Sequence, residues 1–318
     1  MKKLLLIAAF GLMASPAIAQ SNSASSDQVG DANTAEITQT GSSNVAEVDQ
    51  YGDGNATTII QAGTNNRVLD FDQGGDASDG DDPGHNNTAT FTQDGADNVI
   101  DIAEQEGSDH DLTITQVGTG NEAGVVGERT GAFDQRQIDN DATLLQEGDY
   151  NDAFLEQDGE GNRAQLTQLG DTNILELTQE GDGNNALVTQ GKEGRLAYGN
   201  EAVVEQFGNL NDVDIDVQAG FDNDMFVTQE GSRNHAGILN GPAPIPDAID
   251  QQGDENYADL DQVGNDNIMY LEQFGDYNDA LMTQTGNGNT AEVFQMSDGN
   301  TATINVTGNG NTSTITQN

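Results

Sequence analysis

Gln28, Gln39, Gln50 and Gln61 stand eleven residues apart, as do the glutamines from Gln146 to Gln190 and from Gln251 to Gln295. Around them runs Q-x-G-x-x-N-x-A-x-φ-x, where φ is apolar, as in Gln157-Asp-Gly159-Glu-Gly-Asn162-Arg-Ala164-Gln-Leu166-Thr-Gln168. The chain holds 19 Q-x-G triplets, most of them in phase. A period of this kind is a strong constraint. Every unit must take much the same conformation, and none can bury its apolar residues except against neighbouring units.

Within a unit, Asn, Ala, the apolar residue and the next Gln lie two apart, so in an extended strand they share one face. The intervening positions, such as Thr34, Glu36 and Thr38, point the other way and are mostly polar. Q-x-G-x-x-N carries the turn, because Gly accepts positive φ while Asp and Asn bond locally to the backbone. A helix is disfavoured by the period of two and by a glycine every eleven residues. Two units packed face to face and stacked on the next pair form a coil of 22 residues. The fold expected is therefore an all-β solenoid of about 13 such coils, roughly 60 Å long at 4.8 Å per coil.

Phase is lost in four places, read as loop insertions near 74–85, 127–134, 191–198 and 241–246. The last preserves the count of eleven from Gln229 to Gln251, so an irregular strand is expected there in place of a regular one. Single extra residues before Gln73, Gln105 and Gln218 read as bulges or longer turns. No shift in composition marks a second domain in 28–318.

An inner face that combines apolar residues with Gln and Asn needs partners for the amides. In an in-register parallel stack, identical amides fall about 4.8 Å apart and bond into ladders along the axis. The ladder positions are Gln28, Asn33, Gln39 and Asn44 in the first units. In the middle they are Gln146, Asn151, Gln157, Asn162, Gln168, Asn173 and Gln179. Towards the end come Gln262, Asn267, Gln273, Asn278, Gln284 and Gln317. The alternative is that these amides are turn-proximal residues in water.

Composition narrows the function. The formal charge is −46, with 55 acidic and 9 basic residues, which makes nucleic acid and anionic lipid surfaces poor partners. With no cysteine there are no disulfides and no thiolate metal sites. Residues 1–19 read as a signal peptide: two lysines, an apolar run from Leu4 to Met13, and the small-residue site Ala17-Ile18-Ala19. That run is shorter than the roughly 20 residues that cross a bilayer, and no membrane span is expected. Residues 20–27 would be a short leader.

The motif Q-x-G-x-x-N-x-A-x-x-x-Q resembles the curlin repeat of bacterial curli, and the resemblance covers almost all of 28–318. It implies a secreted structural subunit on the surface or in the matrix of a Gram-negative-type bacterium. Such subunits polymerise into cross-β fibres for adhesion and biofilm, with copies of themselves, a nucleator subunit and an outer-membrane secretion channel as partners. Family members carry a longer leader than Gln20–Asp27 for that channel. The rival reading is a monomeric acidic solenoid acting as an adhesin or cation-binding surface module. Ice binding asks for a flatter Thr-x-Thr face than these mixed outward residues supply.

Acids in the turns recur at 22 residues, Asp149 before Asp171 and Asp254 before Asp276, and would stack in columns. They are candidates for Ca²⁺, against the reading that each Asp caps its own turn amide; no other cofactor is expected. Outward strand carboxylates in the clean runs are expected not to meet: Asp152 would lie under Ile174, Asp259 under Leu281. His85, His110 and His235 read as isolated, solvated histidines. No spacing selects a catalytic pair, and no nucleotide or nucleophile motif occurs, so an enzyme is not expected.

Overall fold

The computed structural model is all β and describes residues 21–74, 84–126, 129–130, 133–191, 197–237 and 248–318. The expected signal peptide, residues 1–19, lies outside the described residues, as do all of the insertion near 241–246 and part of each of the other three. Successive strands alternate between two parallel sheets. The first sheet runs from Ser23–Val29 through Val45–Tyr51 and Arg67–Gln73 to Asp279–Asn287 and Thr301–Thr307. The second runs from Thr34–Ser42 through Ala56–Thr64 and Thr88–Ala96 to Thr290–Gln295 and Thr312–Gln317. The first rung reaches back to Ser23, into the stretch expected as a leader, and pairs along its whole length with Val45–Tyr51.

Register follows the repeat. Gln146 lies opposite Gln168 and Leu144 opposite Leu166; Gln157 lies opposite Gln179 and Leu155 opposite Leu177. The inward apolar residues form one continuous core between the sheets, with Ala46, Ile59, Leu144, Leu166, Val204 and Met282 at 2% exposure or less. Bulky residues are few because the sheets turn back on each other over only three or four inward positions.

Each sheet path holds twelve strands, where about 13 coils were expected. At about 4.8 Å per rung the rod is roughly 50 Å long. The difference is residues diverted into insertions, and those near 127–134 and 241–246 interrupt strands. Glu122–Ala123 and Phe133–Ile138 are two halves of one rung, both paired with Val99–Ser108 and Asp152–Glu160.

His235–Ala236 and Ile249–Gln252 are likewise halves of one rung of the second sheet. The irregular strand expected between Gln229 and Gln251 therefore does not exist as a separate unit. Had it done so, alternation would have put Gln251 in the first sheet, but it pairs with Gln218 in the second. The insertion near 191–198 sits in a turn, and Ala197 resumes in register with Gly170 and Gly220.

Bulges occur at two of the expected places, before Gln73 and Gln218. The extra residue before Gln105 stacks on the one before Gln73, so those two strands stay in step. Among the described residues, no helix is long and apolar enough to cross a membrane.

Candidate functional site

The feature that could do work is the inner amide array and the two ends at which it stops. In the second sheet each Gln Nε2 donates to the Gln Oε1 of the next rung, from Gln39→Gln61 to Gln295→Gln317, at 2.8–3.2 Å. The first sheet holds a second ladder from Gln28 to Gln284, through Gln157, Gln179 and Gln262. The second hydrogen of Nε2 crosses to a carbonyl at the start of a strand in the other sheet, as in Gln168 to Asp152 O, 2.9 Å, and Gln295 to Asp279 O, 3.0 Å. Each Gln thus ties rung to rung and sheet to sheet, and that satisfies a fully buried amide.

The asparagines bond differently from the glutamines. Asn Oδ1 accepts the backbone N–H of the Asn one rung on: Asn33 from Asn55, Asn44 from Asn66, Asn151 from Asn173, Asn162 from Asn184, Asn267 from Asn289 and Asn278 from Asn300. Their Nδ2 groups reach a glycine carbonyl in the following turn, as in Asn151 to Gly170 O, 2.7 Å, and Asn162 to Gly181 O, 2.7 Å. These turns stack so closely that a Cβ on Gly148 would lie 1.9 Å from Gly170 O, at a φ of +124°.

His110 is fully buried and stands in the Asn column, contrary to the solvated reading. Its N–H donates to Asn87 Oδ1, its Nδ1 accepts the Asn140 N–H, and its Nε2 bonds Glu106 O at 2.9 Å. A ring nitrogen that accepts one rung's amide requires the neutral imidazole, and burial holds its pKa below the ordinary value. The signal was there: His110 is the fifth residue after Gln105, where other units have Asn.

Turn acids form columns, with their carboxylates used across rungs rather than within their own turns. Asp171 Oδ1 accepts Asp149 N–H at 2.9 Å, Asp149 Oδ1 accepts Thr119 N–H, and Asp276 Oδ1 accepts Asp254 N–H at 3.0 Å. Among the described residues no group of three or more His, Cys, Asp or Glu is placed to hold a metal ion. Calcium, which takes six to eight oxygens, would need further ligands here.

On the outward side of the first sheet, carboxylates keep apart at the pairs expected in the clean runs but not elsewhere. Asp152 does lie against Ile174 and Asp259 against Leu281, but Asp27, Asp49, Asp72, Glu104, Asp134 and Glu156 stack in one column. Arg136 lies beside it, 2.8 Å from Asp134 Oδ2 and 3.1 Å from Glu156 Oε1. The small strand Val125–Val126, just before the 127–134 insertion, runs close to Asp152–Glu160. Nearby, Asp134 is 8% exposed and the outward ring of Phe154 9%.

Burial, and then the neighbouring Glu106, push Glu104 up to about 7. For Asp134, burial outweighs Arg136 and gives about 6; for Asp152, burial and Glu122 give about 6. On the second sheet, Tyr270 stands at an outward position yet is fully buried, against Phe294 with ring centroids 5.4 Å apart.

Two parallel sheets, short coils and internal amide ladders define a β-solenoid protein. A model of the curlin associated repeat matches residues 41–69, 84–118, 139–170, 248–275, 271–295 and 286–318, more than half of the chain. The chain belongs to the curlin repeat family, whose subunits are of the curli type. No curated protein matches it.

Proposed function

We propose that this protein is a secreted subunit that polymerises end to end into cross-β fibres of the extracellular matrix, used in adhesion and biofilm. Its partners are copies of itself, a nucleator and an outer-membrane channel, after export directed by residues 1–19. One observation carries the reading. Among the described residues, no segment covers the outermost rungs, and half-made ladder joints stand there at Gln28, Gln39 and Gln317. All the glutamine ladder bonds run Nε2 to Oε1 towards the C-terminus. One extremity therefore offers the Oε1 acceptors of Gln28 and Gln39, and the other offers the Nε2 of Gln317, which spends one hydrogen on Thr301 O. Edge strands with unpaired backbone groups template further strands.

Polymerisation of residues 20–318 can be followed by fibre diffraction and seeding. A meridional reflection near 4.8 Å and seeded growth from preformed ends are expected, and Ile315→Pro, which removes a backbone donor from the last rung, should suppress elongation. A preparation that stays monodisperse at high concentration in acid would leave the monomeric adhesin as the better reading.

A further inference from the structure

The two outward faces of the rod are chemically unlike, and the difference appears only once the insertions have set the register. The first sheet carries the acidic column. Over its first seven rungs, from Thr34–Ser42 to Asn185–Gln190, the second sheet instead presents threonine and aliphatic side chains. Thr58, Thr90, Thr113 and Thr143 stack in its central column. Beside them run Ile60, Thr92, Thr115 and Leu145, with Ile60 43% exposed.

Charge is confined to Glu36 at the first rung and to the two flanking columns, one with Asp111, Asp141 and Arg163, the last two 3.5 Å apart, and the other with Asp94 and Glu147. None of the outward side chains of these seven rungs is buried. Beyond them the same sheet turns acidic, with Asp212, Asp214, Asp250 and Glu272.

We propose that this face, nearly uncharged along its middle columns, is a lateral interface with a second copy of the chain, an isologous pair centred near Thr113. A chain of net charge −46 repels its copies from most directions, and exposed charges act over a Debye length of about 8 Å at physiological salt. Approach through the second sheet keeps the acidic columns on the far sides of the pair. Seven rungs of three outward residues cover about 650 Å² per copy, or about 1,300 Å² in total, within the range of a stable interface. In a fibre the area repeats with every subunit. The pairing goes beyond end-to-end growth and does not depend on it.

The chain has no native cysteine, so single thiols report cleanly. Thr113→Cys should cross-link to a dimer on mild oxidation at least tenfold more than Glu205→Cys, which faces outward from the first sheet. This is expected both in unassembled chains and in fibres. Adding Thr90→Asp and Thr143→Asp should bring Thr113→Cys down to the Glu205→Cys level while the β-sheet circular dichroism is unchanged. Equal cross-linking of the two single variants, or cross-linking that ignores the added acids, overturns the proposal. Protection of the Thr113→Cys thiol by a neutral polysaccharide, without a dimer, would also overturn it. Loss of fibres with cross-linking retained would count against end-to-end growth alone.

Discussion

Single residues show how little tolerance an in-register stack has. His110 takes an asparagine's place because a neutral imidazole offers one acceptor and one donor. Its folded pKa lies below the ordinary value, so its contribution is complete above about pH 6.5 and is lost as pH falls through that value. Relative to the natural chain, His110→Asn should gain stability on going from pH 7.5 to pH 5.5, by at most about 1.4 kcal/mol per pH unit. Urea titrations at the two pH values would show it. Thr172 is a β-branched residue held at a φ of 60° in an exposed turn. Asn tolerates that conformation, so Thr172→Asn should stabilise by about 1 kcal/mol in the same assay.

At the scale of the strand, the unit of stability is a ladder bond shared between rungs. Gln168 accepts from Gln146 and donates to Gln190, so Gln168→Leu orphans a buried donor and a buried acceptor. A loss of about 2–4 kcal/mol is expected. Gln317→Leu breaks one ladder bond at an open end and should cost about 1 kcal/mol or less. Equal shifts in the urea midpoint for the two variants would mean that the ladders are not what holds the rungs. The chain itself contains such a break. Val306 stands in the last rung of the first sheet opposite Gln284, and that ladder ends one rung early.

For the molecule as a whole, the acidic exterior sets when the fold is most stable. Glu104, Asp134 and Asp152 all have folded pKa values raised by burial. The stability linked to each is present below its ordinary pKa and is lost as pH rises through the folded value, here about 6 to 7. The chain should therefore unfold at lower temperature at pH 8 than at pH 5. Glu104→Gln should raise the pH 8 midpoint and flatten the dependence between them. His110 acts in the opposite sense, and the two variants separate the contributions. Fibre growth should also speed up in acid or raised salt, as two charges 5 Å apart in water repel by roughly 0.8 kcal/mol.

The strand, the turn, the inward row and the 22-residue register were legible from the sequence. Each is a local conformation repeated under selection for one residue at one place. An amide ladder needs Gln over Gln, and a turn in which a Cβ would fall within 2 Å of its neighbour's carbonyl oxygen needs Gly at positions such as Gly148. What lay beyond the sequence was any pairing that crosses an insertion. Whether the chain re-enters the first or the second sheet after 241–246, or completes a rung broken at Ala123, depends on which free edge it meets in three dimensions. That choice fixed twelve rungs, placed six carboxylates in one column, and left the middle columns of the opposite sheet almost uncharged over its first seven rungs. The repeat sets contacts between neighbouring units, while contacts spanning an irregular loop are selected by the stack already built.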